Sequence, residues 1–128
     1  MIDHTGVSVT DGATSRRFYE QALAPLGYQV LMVVPTEFTG GVMVLGMGEP
    51  PKADFWIHEG TPQKPHLHVA FRAANRATVD AFYRAAIAAG GKDNGPPGPR
   101  PHYHANYYGA FVLDPDGHNI EACCHTPG

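Results

Sequence analysis

Two stretches of the chain repeat their apolar residues with the period of a helix. Val79, Phe82, Tyr83, Ala86 and Ile87 stand at i, i+3, i+4, i+7 and i+8 and predict one buried stripe. Asn75 can cap the start of this helix with its side-chain oxygen, and Gly90-Gly91 can supply a left-handed end. In the first half, Asp11 caps, Phe18, Ala22, Leu23 and Leu26 face inward, and Gly27 stops the helix. Shorter apolar runs at 28–34, 41–47, 54–58, 106–114 and 118–124 read as strands. "HLHVAF" (66–71) reads as another, with His66 and His68 on one face, because strand side chains alternate. A weaker strand is expected near 99–104, since "DNGPPGPRP" holds too many Gly and Pro residues to pair freely. "DPDG" (114–117) predicts a tight turn between the last two strands.

These elements occur twice. A shift of 64 residues lays His4 on His68, Asp11 on Asn75, Phe18-Tyr19 on Phe82-Tyr83, Ala22 on Ala86 and Gly27 on Gly91, without a gap. "GVMVLG" (41–46) echoes "GAFVLD" (109–114) at a shift of 68, which implies a short indel. The expected architecture is a single α+β domain over 1–128, made of two tandem β-α-β-β-β modules. Module one spans 1–58, a linker 59–65 and module two 66–128. The two sheets are expected to face each other around a pseudo-two-fold axis, so that equivalent residues meet. His4 and His68 are equivalent, whereas His66 falls on the apolar Ile2. The duplication therefore favours His68 as the histidine that finds a partner.

Candidate chemistry follows from this pairing. Glu121 stands between Ile120 and Ala122 in an apolar strand, where a carboxylate is costly unless it is paired or binds a metal. His4, His68 and Glu121 make a two-imidazole, one-carboxylate set suited to a divalent first-row ion, with positions left open for substrate. "RPHYHANYYG" (100–109) reads either as a polar loop with edge aromatics or as one wall of a substrate cavity. As a wall it would offer His104 and Tyr108 for proton transfer, and Arg100, His102 and Tyr107 for substrate contact. Trp56 is a further candidate for the lining, and His66 a neighbour of the metal. His118 and His125 are expected at the solvent side.

Composition narrows the classes. Of 128 residues, 43% are hydrophobic and 16% charged, which indicates a folded chain with a core. Net charge is −3 with scattered Lys and Arg, so no nucleic-acid partner is expected. No apolar run reaches membrane-span length and "MIDHTG" lacks a signal pattern, so a cytoplasmic, membrane-free protein is expected. Cys123 and Cys124 are adjacent and read as two free thiols. Eight histidines, clustered, are the compositional trace of chemistry.

"IDHTGVSV", "FYEQAL", "HVAF" and "YYGAFVLDPDGHNIEA" together resemble the vicinal oxygen chelate superfamily of glyoxalases, extradiol dioxygenases, fosfomycin-resistance and bleomycin-binding proteins. The resemblance covers nearly the whole chain and is most specific in "DPDGHNIE". It implies a U-shaped mixed sheet around one divalent metal ion (Zn, Ni, Fe, Mn or Mg) and maps the family's ligands onto His4, His68 and Glu121. It also implies a homodimer and a small substrate that chelates the ion through vicinal oxygens. Glyoxalase/lyase-like chemistry is favoured over an extradiol Fe(II) dioxygenase or a non-enzymatic bleomycin-type binder. Four-ligand members carry a further ligand in the fourth strand. Here that place falls near Trp56 or His58, and three ligands are expected.

Overall fold

The helix and strand signals become ten elements in the computed structural model, which describes residues 1–128. Module one runs β1 (Thr5–Val9), α1 (Gly12–Leu23), β2 (Gln29–Val33), β3 (Val44–Gly48) and β4 (Phe55–Glu59). Module two runs β5 (His68–Arg72), α2 (Arg76–Ala88), β6 (Lys92–Pro99), β7 (Tyr108–Leu113) and β8 (Asn119–Cys124). Each module is a four-stranded mixed sheet, ordered β1-β4-β3-β2 or β5-β8-β7-β6. The first and last strands pair parallel and the others antiparallel. Asp11 accepts from the Thr14 N–H and Asn75 from the Thr78 N–H, so both helices start at the side-chain caps the sequence offers. No helix is long and apolar enough to cross a membrane.

Strand register sharpens the repeat. Gly6 pairs with Trp56 as Ala70 pairs with Glu121, and Gly46 pairs with Trp56 as Phe111 pairs with Glu121. The third and fourth strands therefore repeat at a shift of 65, not 68, and the indel is a single residue. Trp56, not a metal-ligating side chain, stands in module one where Glu121 stands in module two. His58 lies two residues further along β4 and is exposed.

The sixth strand differs from expectation. It occupies Lys92–Pro99, while residues 101–106 form turns. Pro96 and Pro97 are tolerated because β6 is the outer strand of its sheet, where a missing N–H leaves no partner unsatisfied. Its pairing with β7 slips twice, between Asp93 and Gly95 and between Gly95 and Gly98.

One core serves both modules. Val7, Val9, Phe55 and Ile57 from the first sheet meet Phe71, Val112, Ile120 and Ala122 from the second, with Phe18, Tyr19, Ala22 and Leu23 of α1 and Phe82 and Ala86 of α2 between them. Edge-to-face ring contacts link Tyr19 to Phe55 and Phe55 to Phe71, at 5.1 Å each. The modules thus join through their helix-bearing faces. By strand alternation the opposite faces carry Trp56 and His58 in one sheet and His68, Ala70, Arg72 and Glu121 in the other. His68, Ala70 and Arg72 are exposed.

The turn at 114–117 clasps the two modules. The Asp114 carboxylate accepts from the Tyr19 hydroxyl at 2.5 Å and from the N–H groups of Asp116 and His118. Asp116 accepts from the Thr10 N–H beyond β1. His118, expected at the solvent side, is fully buried. Its Nδ1 accepts from the Leu67 N–H at 3.0 Å, which leaves Nε2–H to donate to the Ser8 carbonyl at 3.0 Å. Burial follows because each ring nitrogen meets a backbone group that would otherwise lack a partner.

Candidate functional site

Module two builds the candidate site. Ile120 and Ala122 enter the core, so alternation along β8 sends Glu121 to the other face. β5 lies parallel to β8, and its leading residue, His68, reaches the same carboxylate. His68 Nε2 is 2.8 Å from Glu121 Oε1. The Glu121 side chain is only 2% exposed and that of His68 52%, so the pair joins a buried acid to an accessible imidazole. The second oxygen, Oε2, accepts from the Tyr107 hydroxyl. A Cβ at residue 109 would stand 3.2 Å from Glu121 Oε2 and 3.2 Å from Tyr107 Cε1, so Gly109 leaves room for both groups. Burial, then the hydrogen bond to Glu121 and the neighbouring Cys123, push the Tyr107 phenol well up. Burial also raises the Cys123 thiol.

His4 stands apart from this pair. Its Nδ1 lies 2.7 Å from Asp3 Oδ1, and Lys52 Nζ lies 3.1 Å from Asp3 Oδ2. Hydrogen bonds from His4 and Lys52 hold the Asp3 carboxyl below its usual range. His4 and His68 line one cavity of about 380 Å³ together with Tyr28, Asp54 and Arg72. Within the single chain, however, no three His, Cys, Asp or Glu side chains converge as a metal cluster.

The other candidates divide. Tyr107 belongs to the site, whereas Tyr108 points to the opposite face. The Tyr108 hydroxyl donates to Asp80 of α2 at 2.7 Å and its ring lies under Arg76, so it cannot serve as the proton donor expected of it. Adjacent strand residues face opposite ways, and only one of the two tyrosines can reach Glu121. His66 precedes β5 and does not share its alternation. Its ring packs over Gly117 and edge-on to His118 rather than beside the site. Arg100 donates to the carbonyls of Pro96, Gly98 and Pro99, with its guanidinium over Phe111. It braces its own loop and keeps little to offer a substrate. His102 is exposed and rests on Tyr103. His104 Nε2 meets His125 Nδ1 at 2.7 Å, and both rings press on Tyr107. Trp56 packs against Gly6 and Gly46 on the first sheet.

Cys123 and Gly109 lie beside Tyr107 and Glu121 in the candidate site, and sequence reasoning passed over both. The alternation that selects Glu121 also selects Cys123, two residues on, and could have found it.

Known proteins share this fold. The family model described as the Glyoxalase/Bleomycin resistance protein/Dioxygenase superfamily matches residues 1–122. No curated protein matches the sequence. Among solved structures, a glyoxalase/bleomycin resistance protein from Albidiferax ferrireducens is 28% identical with a TM-score of 0.76, covering 97% of this chain and 98% of its own. A mutant of the fosfomycin resistance protein FosX from Listeria monocytogenes, complexed with Mn(II) and 1S,2S-dihydroxypropylphosphonic acid, is 17% identical with a TM-score of 0.69. It is covered over 90% of its length and this chain over 100%. A glyoxalase I mutant from Zea mays is 18% identical with a TM-score of 0.72, covering 99% of this chain but 45% of its own.

Proposed function

Since the chain belongs to the glyoxalase/bleomycin resistance protein/dioxygenase superfamily, we propose that it is a metal-dependent enzyme acting on a small substrate with two adjacent oxygens. The observation that carries this reading is the 2.8 Å contact between His68 Nε2 and the buried Glu121 Oε1. An imidazole nitrogen and a carboxylate oxygen, side by side on an open sheet face, are donors that fit a divalent first-row ion. His68 and Glu121 would hold the ion, and it would supply positive charge against a developing substrate oxyanion.

The third donor is His4, contributed by a second copy of the chain. Two features support this. The three donors do not form one cluster within the chain, although His4 and His68 line one cavity, and His68 and Glu121 lie on the sheet face opposite the shared core. A symmetric homodimer covers such faces by setting module one of one protomer against module two of the other. Three protein ligands are favoured over four, because Trp56 and not His58 stands at the position equivalent to Glu121.

The chemistry favoured is proton transfer beside a substrate carbonyl, of the glyoxalase/lyase kind. His68 Nε2 and Glu121 Oε1 lie at hydrogen-bond distance. Any proton between them would be displaced when the two hold the ion, and Glu121, if released from the ion as substrate chelates it, would be the group that takes and returns the substrate proton. The Tyr107 hydroxyl donates to Oε2, which leaves Oε1 to face the ion. His104, paired with His125 on the outer side of Tyr107, belongs to the wall of the site.

The test is metal analysis of protein purified without chelator, with thermal melts on addition of Zn(II), Ni(II), Fe(II), Mn(II) or Mg(II). The expected result is a stoichiometric divalent ion and stabilisation of about 3 kcal/mol at a hundredfold excess over the dissociation constant. Turnover of methylglyoxal–thiol adducts, with catechols inert, would support lyase chemistry. Protein with no bound ion and no gain in stability would contradict the proposal.

A further inference from the structure

We propose that Tyr107 is a positioning residue that fixes which oxygen of Glu121 meets the ion, an inference that rests on the metal-binding reading above. Three observations converge on this role. First, the two oxygens of Glu121 are claimed separately, Oε2 by the Tyr107 hydroxyl and Oε1 by His68. Second, residue 109 has no side chain, and even one carbon there would crowd both Oε2 and the Tyr107 ring. Third, the Tyr107 ring cannot swing freely. Tyr103 meets it edge-on at 4.9 Å, and His104 and His125 at 5.2 Å each. Those two imidazoles are themselves joined at 2.7 Å, which ties the loop before β7 to the segment after β8.

The consequence is geometric. A buried carboxylate with one anchored oxygen cannot rotate about its last bond, so it presents a single oxygen toward His68. Without the hydroxyl, Oε2 would be buried beside Gly109 with no donor, and the carboxylate would turn to find one. Partners of this kind, which orient a metal ligand without touching the metal, typically govern affinity by about 10–100-fold.

The experiment compares the wild type, Tyr107→Phe and Tyr103→Phe, each titrated with Co(II) while its visible absorption is recorded, alongside thermal melts without metal. Tyr103→Phe removes a neighbouring hydroxyl that does not contact Glu121. The expected result is that Tyr107→Phe folds, binds Co(II) about 10–100-fold more weakly and shows an altered absorption spectrum, while Tyr103→Phe matches the wild type in both. Wild-type affinity and spectrum in Tyr107→Phe would overturn the positioning role alone. Equal weakening in Tyr103→Phe would also overturn it, because the effect would then belong to the aromatic wall. A wild type that binds no Co(II) would overturn the metal site and the positioning role together.

Discussion

At the scale of single residues, the site is a matter of which way each side chain points. Glu121 was legible because a carboxylate between Ile120 and Ala122 has to be paired, and the structure pairs it with His68 and Tyr107. The repeat singled out His68 as the equivalent of His4, but the structure sets its ring against Glu121 and leaves His4 beside Asp3. Tyr107 and Tyr108 were not separable from sequence, since their strand starts after turns whose length hides the register. The burial of His118 was hidden because its partners are a backbone N–H and a backbone carbonyl, which leave no trace in side-chain patterns. The same reasoning sets two mutational outcomes. His68→Ala and Glu121→Gln should each abolish divalent-ion binding measured by calorimetry. His66→Ala should leave it unchanged, because that ring sits over the 114–117 turn. Equal loss in His66→Ala would contradict the placement of the site.

Among the elements, the turn between β7 and β8 does more than reverse the chain. Asp114 gathers the Tyr19 hydroxyl from α1 and two backbone N–H groups, so one carboxylate closes the hairpin and docks module one. Tyr19→Phe should cost about 1–3 kcal/mol in urea unfolding, since it leaves a buried carboxylate oxygen without its donor. Burial first, and then the Asp114 charge, raise the Tyr19 phenol well above its ordinary value of 10.0. The folded state thus holds this proton more tightly than the unfolded chain. The stability it contributes is complete below about pH 10 and is lost as pH climbs through the raised folded value. Unfolding free energy should therefore decline above about pH 10, and less steeply in Tyr19→Phe; identical slopes would rule out this linkage. Helix starts were readable from Asp11 and Asn75 because a cap is a local device. β6 was not, because its prolines are acceptable only at a sheet edge, and edge position is set by the whole topology.

For the whole molecule, the duplication was the most readable feature, since both helices and their caps repeat at one spacing. How the copies meet was not readable, because the sequence shows which faces are apolar but not which apolar face joins which. The modules meet through their helix sides in one core. That arrangement leaves His4 near one edge, paired with Asp3, and the His68–Glu121 pair on an open face. The account therefore assigns the complete metal site to two chains. The most direct test mixes two inactive proteins: His4→Ala, which keeps His68 and Glu121, and His68→Ala, which keeps His4. Each is unfolded and refolded alone or with the other, and bound divalent ion is measured after desalting. The account predicts no retained ion in either protein alone and recovered binding in the co-refolded mixture, where one mixed site is intact. A mixture as empty as its parents, beside a wild type that refolds with its ion, would contradict it.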